Sequence, residues 1–242
     1  MALSTIPFSG LGADASNQGV NFRNLIINGD MSIAQRGTSS VTASAGLFRI
    51  DRFQCQTNAG GIYTVEQSTD APDNFNYSLK VTSNSAHSLS NSNVVGIWQK
   101  IEGNNIPQLN WGSASAQDVT LSFYIKSSVT GTYGVAFRSA SGTTVSYLGS
   151  YTINSANTWE RKTITIDGAT IGTWNINNST GIEMLFGLGV GSDYTGSAGS
   201  WSSNNYYGLT GATSLVSTNG ATWLLTGVQL EVGTSASDFE FL

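Results

Sequence analysis

One histidine, one cysteine and fifteen acidic residues leave this 242-residue sequence short of the groups that most often activate a nucleophile or bind a metal. Nucleophilic catalysis needs a base beside the nucleophile, usually histidine, and the single His87 lies in the Ser/Asn-rich stretch SNSAHSLSNSN, so no triad is expected. One His and one Cys do not furnish a zinc site of the usual ligand types. Neither a G-x-x-x-x-G-K-S/T loop nor a G-x-G-x-x-G turn between a strand and a helix is present, so no phosphate cradle is expected either. Paired carboxylates for glycoside hydrolysis remain open, because they need only two Asp or Glu side chains in one cleft. Glu102, Glu160 and Glu183, however, fall in alternating runs, where an outward, solvated carboxylate is the expectation. The NGD stretch at Asn28 to Asp30 suits a plain turn or, with its carbonyls and carboxylate, a calcium ion. A non-enzymatic protein without a cofactor or metal is therefore expected, with a glycan-degrading enzyme as the lesser reading.

What stands out instead is a set of aromatic residues in neutral, amide- and hydroxyl-rich surroundings: Trp98, Trp111, Tyr133, Trp174, Tyr194, Trp201, Tyr206 and Tyr207. An aromatic face covers the apolar C–H side of a sugar ring while Asn, Gln, Ser and Asp satisfy its hydroxyls. Core and inter-subunit packing compete for the same rings. Tyr194, Trp201, Tyr206 and Tyr207 share one glycine-rich segment, residues 191 to 220, which is too long for an ordinary connection and is expected to be functional or folded back as a packed loop. These four are the candidate glycan-binding residues.

The composition limits the partners. Charged residues make up only 10% of the chain, against about a quarter in ordinary soluble domains, and the net charge is −5. Arg161 and Lys162 form no basic footprint for nucleic acid, so that class is set aside. The first 21 residues have neither a basic start nor a continuous apolar run, and no later segment approaches a membrane span. A soluble chain made in the cytoplasm is expected, with no membrane insertion. Under that expectation the sequons at Asn76 and Asn178 are chance matches, and the lone Cys55 is a buried or half-buried thiol that excludes an internal disulfide.

The elements that must position these residues read as strands. From Asn24 onward, short runs of period-two alternation recur between Gly/Ser/Asn/Thr turns. In TLSFYIK, Leu121, Phe123 and Ile125 share one face; in GIEMLFGLGVG, Ile182, Met184, Phe186, Leu188 and Val190 do, with Gly187 and Gly189 opposite, where another backbone or a ring can approach. No segment of ten or more residues keeps a helical apolar period. The pattern predicts one all-β domain over residues 24–242, an antiparallel β-sandwich, preceded by a short extended arm over residues 1–23 whose Ile6, Phe8 and Leu11 are candidate docking residues.

Nine stretches taken in order, among them NLIINGDMSIAQRG, FRIDRFQ, QKIEGNNIPQLNWG, VTLSFYIKSS, TGATSLVSTNGATW and LLTGVQLEVG, resemble the receptor-facing region of phage tail-fibre and related virion proteins. Those proteins are similar to jelly-roll carbohydrate-binding modules, whose chains open on an N-L-x-x-N-G strand and close on a Q-L-E-x-G strand. The resemblance implies a jelly roll in which the two terminal runs neighbour each other, with Asn28 and Gln229 holding turns. It further implies a virion location, partners among other capsid or tail proteins, a host cell-surface glycan as ligand and a homotrimer. A short arm dotted with apolar residues also suits a capsid decoration or cement protein, the alternative function.

Overall fold

The computed structural model describes residues 24–141 and 144–241. The expected arm, with Ile6, Phe8 and Leu11, lies outside them. Fifteen strands follow in order: β1 (Val41–Thr42), β2 (Phe48–Ile50), β3 (Phe53–Thr57), β4 (Tyr63–Ser68), β5 (Ser78–Ser83), β6 (Val94–Glu102), β7 (Val119–Ser127), β8 (Gly131–Ser139), β9 (Ser146–Ile153), β10 (Glu160–Ile166), β11 (Thr180–Val190), β12 (Thr195–Gly196), β13 (Trp201–Ser202), β14 (Gly208–Leu209) and β15 (Thr222–Val232). Among the described residues the only helical pieces are short 3₁₀ turns, and no helix is long and apolar enough to cross a membrane.

Thirteen of these strands form two antiparallel sheets packed face to face, the sandwich that the alternation predicts and the jelly roll that the resemblance implies; β12 and β14 pair separately and in parallel. One sheet has the order β1-β4-β5-β15-β7-β10, the other β13-β9-β8-β11-β6-β3-β2. Apart from the hairpin pairs β2-β3, β4-β5 and β8-β9, neighbours are non-consecutive, so the chain crosses repeatedly between the sheets. Leu121, Phe123 and Ile125 of β7 and Ile182, Met184 and Phe186 of β11 all point into one buried cluster between them. Aromatic rings thicken its centre: Phe123 meets Tyr151 edge-on at 5.0 Å and Phe186 at 5.2 Å, and the Trp223 indole donates to the Tyr151 hydroxyl at 3.3 Å. Tyr63 of β4 crosses the core, its hydroxyl donating to the Gly96 carbonyl of the other sheet at 3.1 Å. A buried hydroxyl without such a partner would cost about 1–3 kcal/mol.

The opening run, residues 24–33, is not a ladder strand. It bends along the seam between the sheets and is held there by amides. Asn24 donates to the Val228 carbonyl and accepts from the amides of Ile26 and Leu230, while Leu25 donates to the Leu230 carbonyl at 2.9 Å. On the other sheet the fully buried Gln99 carboxamide brackets Ile27, accepting from its N–H at 2.9 Å and donating to its carbonyl at 3.1 Å. This hold sinks Ile26 and Met31 into the core at 1% and 0% exposure. The terminal runs are thus neighbours, as the resemblance implies. Asn28 and Gln229 hold turns: Asn28, at φ 60°, bonds both backbone groups of Ile33 and the Asp51 carbonyl, and Gln229 accepts from the Glu240 amide. Asp30 accepts from the amide and hydroxyl of Ser32, so the NGD stretch is a turn closed on itself.

Two expectations follow. Asn24→Ala removes three bonds from a site only 9% exposed and lowers stability by about 2 kcal/mol, read as a shifted urea midpoint at unchanged slope. Burial pushes the Cys55 thiol up to about 11, an effect only partly relieved by its hydrogen bond with Tyr63. At pH 8 Cys55 is therefore expected to react with a thiol reagent no faster than the protein unfolds; rapid labelling of the native protein would contradict the packing.

Candidate functional site

The outer face of the seven-stranded sheet carries the aromatic and charged chemistry. Residues that alternate with the core positions of β6, β8 and β11 point away from the sandwich, and pairing sets them in rows. Glu183 of β11 lies opposite Lys100 of β6 and Arg138 of β8, and Ser146 of β9 lies opposite Arg138. In the next row Leu185 stands between Trp98 and Ala136, with Gln54 of β3 beyond Trp98. Gln56 follows opposite Gly96.

Residues 191–214 fold back over part of this face as a strap. The parallel pair β12–β14 stiffens it, and Thr213 donates to the Thr132 carbonyl at 2.7 Å at its far end. Close approach requires a small residue below, since a Cβ on Gly134 would come within 2.9 Å of Leu209 Cγ, and the strap's own fold requires another, since a Cβ on Gly196 would come within 2.5 Å of the Tyr206 ring. Gly187, placed by the alternation for such an approach, faces the Tyr207 carbonyl. Val94, Trp98, Ala136, Leu148, Leu185 and Leu209 make a second apolar cluster beneath the strap, with Tyr194, Tyr206 and Tyr207 packed at its border. The long segment is therefore a packed loop.

At that border the groups converge. The Arg138 guanidinium lies 3.8 Å from the centre of the Tyr207 ring, a cation–π stack. Its Nη1 donates to Glu183 at 2.5 Å, and its Nη2 donates to the Asn205 side-chain oxygen. Tyr207 meets Trp98 at 5.8 Å and Tyr194 at 5.4 Å, both edge-on, and Lys100 Nζ lies 5.2 Å from the Trp98 ring centre and 3.4 Å from Glu183. Trp98 and Arg138 are buried at 7% and 5% exposure, whereas Tyr194, Tyr206 and Tyr207 are half-buried and Lys100 and Asn205 exposed. Ring edges, the Asn205 amide and a lysine thus share one open margin, with Gln54 and Gln56 on the neighbouring strand, which suits a ligand that is apolar on one side and hydroxylated on the other.

Of the four aromatics named from sequence, the structure brings three together and sends the fourth elsewhere. Trp201 lies on the edge strand β13, on the core side, in a knot with Trp111 at 5.2 Å, Trp174 at 5.5 Å and Tyr147 at 5.5 Å. The indole N–H groups of Trp111, Trp174 and Trp201 all donate to backbone carbonyls, of Gln117, Ile171 and Asp167 respectively. This knot is packing, and Tyr133, fully buried, is core. Glu183 also departs from expectation. It faces outward but is not solvated, because the strap and two cations enclose it and its side chain is 13% exposed. Sequence reasoning missed Arg138, Lys100, Gln54, Gln56 and Asn205. Their outward phase is visible in the alternation, but that β8, β11 and β6 are adjacent is not.

No protein-family model matches this chain, and no curated protein matches it. Solved structures do. A protein of Bacteroides thetaiotaomicron described as a candidate sugar binder superposes with a TM-score of 0.52 at 13% identity, over 87% of this chain and 100% of its own. The enzymatically active domain of tailspike protein 4 of bacteriophage CBA120 does so at 0.50 and 14% identity, over 87% of this chain. The match spans only 21% of the length of that domain's chain. A family 16 carbohydrate-binding module overlaps more loosely, at 0.40 and 13% identity. At these identities the likeness is one of fold.

Trp201→Ala is expected to lower stability by about 2 kcal/mol, less than a fully buried tryptophan would because the ring is half-buried. Chemical denaturation measures it; a loss under about 0.5 kcal/mol, typical of surface substitutions, would mean the knot is not packing.

Proposed function

We propose that this chain is a non-enzymatic glycan-binding protein of a phage virion, which holds a host cell-surface polysaccharide against the margin of Tyr207, Tyr194, Trp98, Lys100, Gln54 and Gln56. The observation that carries the reading is the convergence of half-buried tyrosine rings with amide and charged side chains on one sheet face. That is the mixture a pyranose needs, with ring faces for its C–H side and donors and acceptors for its hydroxyls. Glu183, tied to two cations, serves this margin as scaffold. The virion setting rests on the ordered sequence resemblance, and the fold shared with a tailspike domain and a candidate sugar binder agrees with it. A homotrimer on the particle would present several weak sites together and turn low single-site affinity into useful avidity.

A glycan array followed by titration calorimetry of the full chain tests the reading. Single-site dissociation constants in the micromolar to millimolar range are expected, roughly −8 to −4 kcal/mol. Tyr207→Ala should weaken binding about tenfold and Trp201→Ala should leave it unchanged in the folded fraction. If no host envelope polysaccharide binds, or if reducing ends accumulate when the pure protein meets one, the proposal fails.

A further inference from the structure

The same margin is short of acceptors. Trp98 Nε1–H is a buried donor with no hydrogen-bond partner among the described residues, and so is Arg138 Nε–H. Both side chains are more than nine-tenths buried, and the guanidinium carbon lies 5.9 Å from the Trp98 ring centre. A buried donor left unmade is expensive, about 1–3 kcal/mol, so two on one small patch ask for an oxygen from outside. Charge is unbalanced in the same sense. Elsewhere a lysine or arginine in an ion pair has a carboxylate of its own, as Arg36 has Asp51, Lys80 has Glu66 and Lys162 has Glu160. Here Arg138 and Lys100 share the single carboxylate of Glu183, and Lys100 keeps 46% of its side chain in solvent. The patch thus carries excess positive charge in a chain whose net charge is −5.

We propose that the saccharide held at this face is anionic, its charge supplied by a sugar carboxylate, as in uronate-bearing polysaccharides. The inference rests on the glycan-binding reading above. The carboxylate pairs with Lys100 and supplies the missing acceptor to the Arg138 and Trp98 N–H groups. Those groups lie under the strap, where Asn205 gives Arg138 its neutral acceptor. A carboxylate displaces it because it can accept from Nη2 and the unpaired Nε together, a bidentate pair, where the amide oxygen accepts from Nη2 alone. Asn205 is exposed, so its departure opens the margin without unpacking the core.

Affinity electrophoresis and calorimetry of the full chain against polygalacturonate and hyaluronate, each beside its carboxyl-reduced form, decide the matter. The acidic forms are expected to bind, with affinity falling as salt rises, and the reduced forms at least tenfold more weakly, the effect of one lost charge-assisted bond. Lys100→Gln should erase most of that difference, and Asn205→Ala, which removes the competing acceptor, should raise affinity for the acidic forms. Equal binding of acidic and reduced forms, tighter binding of dextran sulfate, or no effect of either substitution would overturn the inference while leaving glycan binding in place. Absence of binding to every polysaccharide, acidic and neutral, would overturn both.

Discussion

The Gln99 carboxamide bracketing the backbone of Ile27 is the bond on which the rest of the sandwich depends. Two twisted sheets packed face to face leave a seam along their sides, and the chain lying in that seam makes only isolated backbone bonds, Leu25 to Leu230 and Val228 to Gly29, with the strand beside it. Its peptide groups must still be satisfied, because each buried one left alone costs as much as a lost hydrogen bond. Gln99 supplies one donor and one acceptor in the place of a ladder partner. Asn24 does the same toward β15. Once both sheets hold the run, Ile26 and Met31 fill the space between them and the core is closed on that side.

Low charge and abundant amides are two sides of that constraint. A carboxylate or ammonium in the seam would need a buried counter-charge, whereas an amide satisfies a peptide group and stays neutral. The chain repeats the device with Asn28 over the turn to Ile33, Gln67 on the carbonyls of Met31 and Ser32, and Gln229 under the C-terminal turn. Charged groups are kept for the outer faces, where each costs less and finds water or a partner.

The sequence made the class of fold legible because period-two alternation survives wherever one face meets the core. β7 and β11 are examples, with Leu121, Phe123, Ile125 and then Ile182, Met184 and Phe186 buried as their phase requires. The strap was visible as an interruption of that rhythm, and Gly187 marked where it would press. The site was less legible. Nearness in sequence grouped Trp201 with Tyr206 and Tyr207, yet β13 pairs with β9 through Trp201 opposite Tyr147, and that alternation turns Trp201 to the core side. The residues that do face Tyr207 come from three strands far apart in the chain, brought together by a strand order that no local pattern encodes. Glu183 failed for a related reason. Its phase was right, but whether an outward carboxylate meets water depends on what lies over it.

The strap also explains why rings, amides and charges gather at its border and not across the whole face. Under it, Leu209 presses on Gly134 and the second apolar cluster closes, so the inner part of the face is spent on packing. Away from it, single side chains on a flat sheet have no neighbours at right angles to hold a ring. Only at the margin do two surfaces meet: the sheet, offering Trp98, Lys100, Gln54 and Gln56, and the strap, offering Tyr194, Asn205 and Tyr207. Arg138 ties the two together, through Glu183 to the sheet and through Asn205 and Tyr207 to the strap.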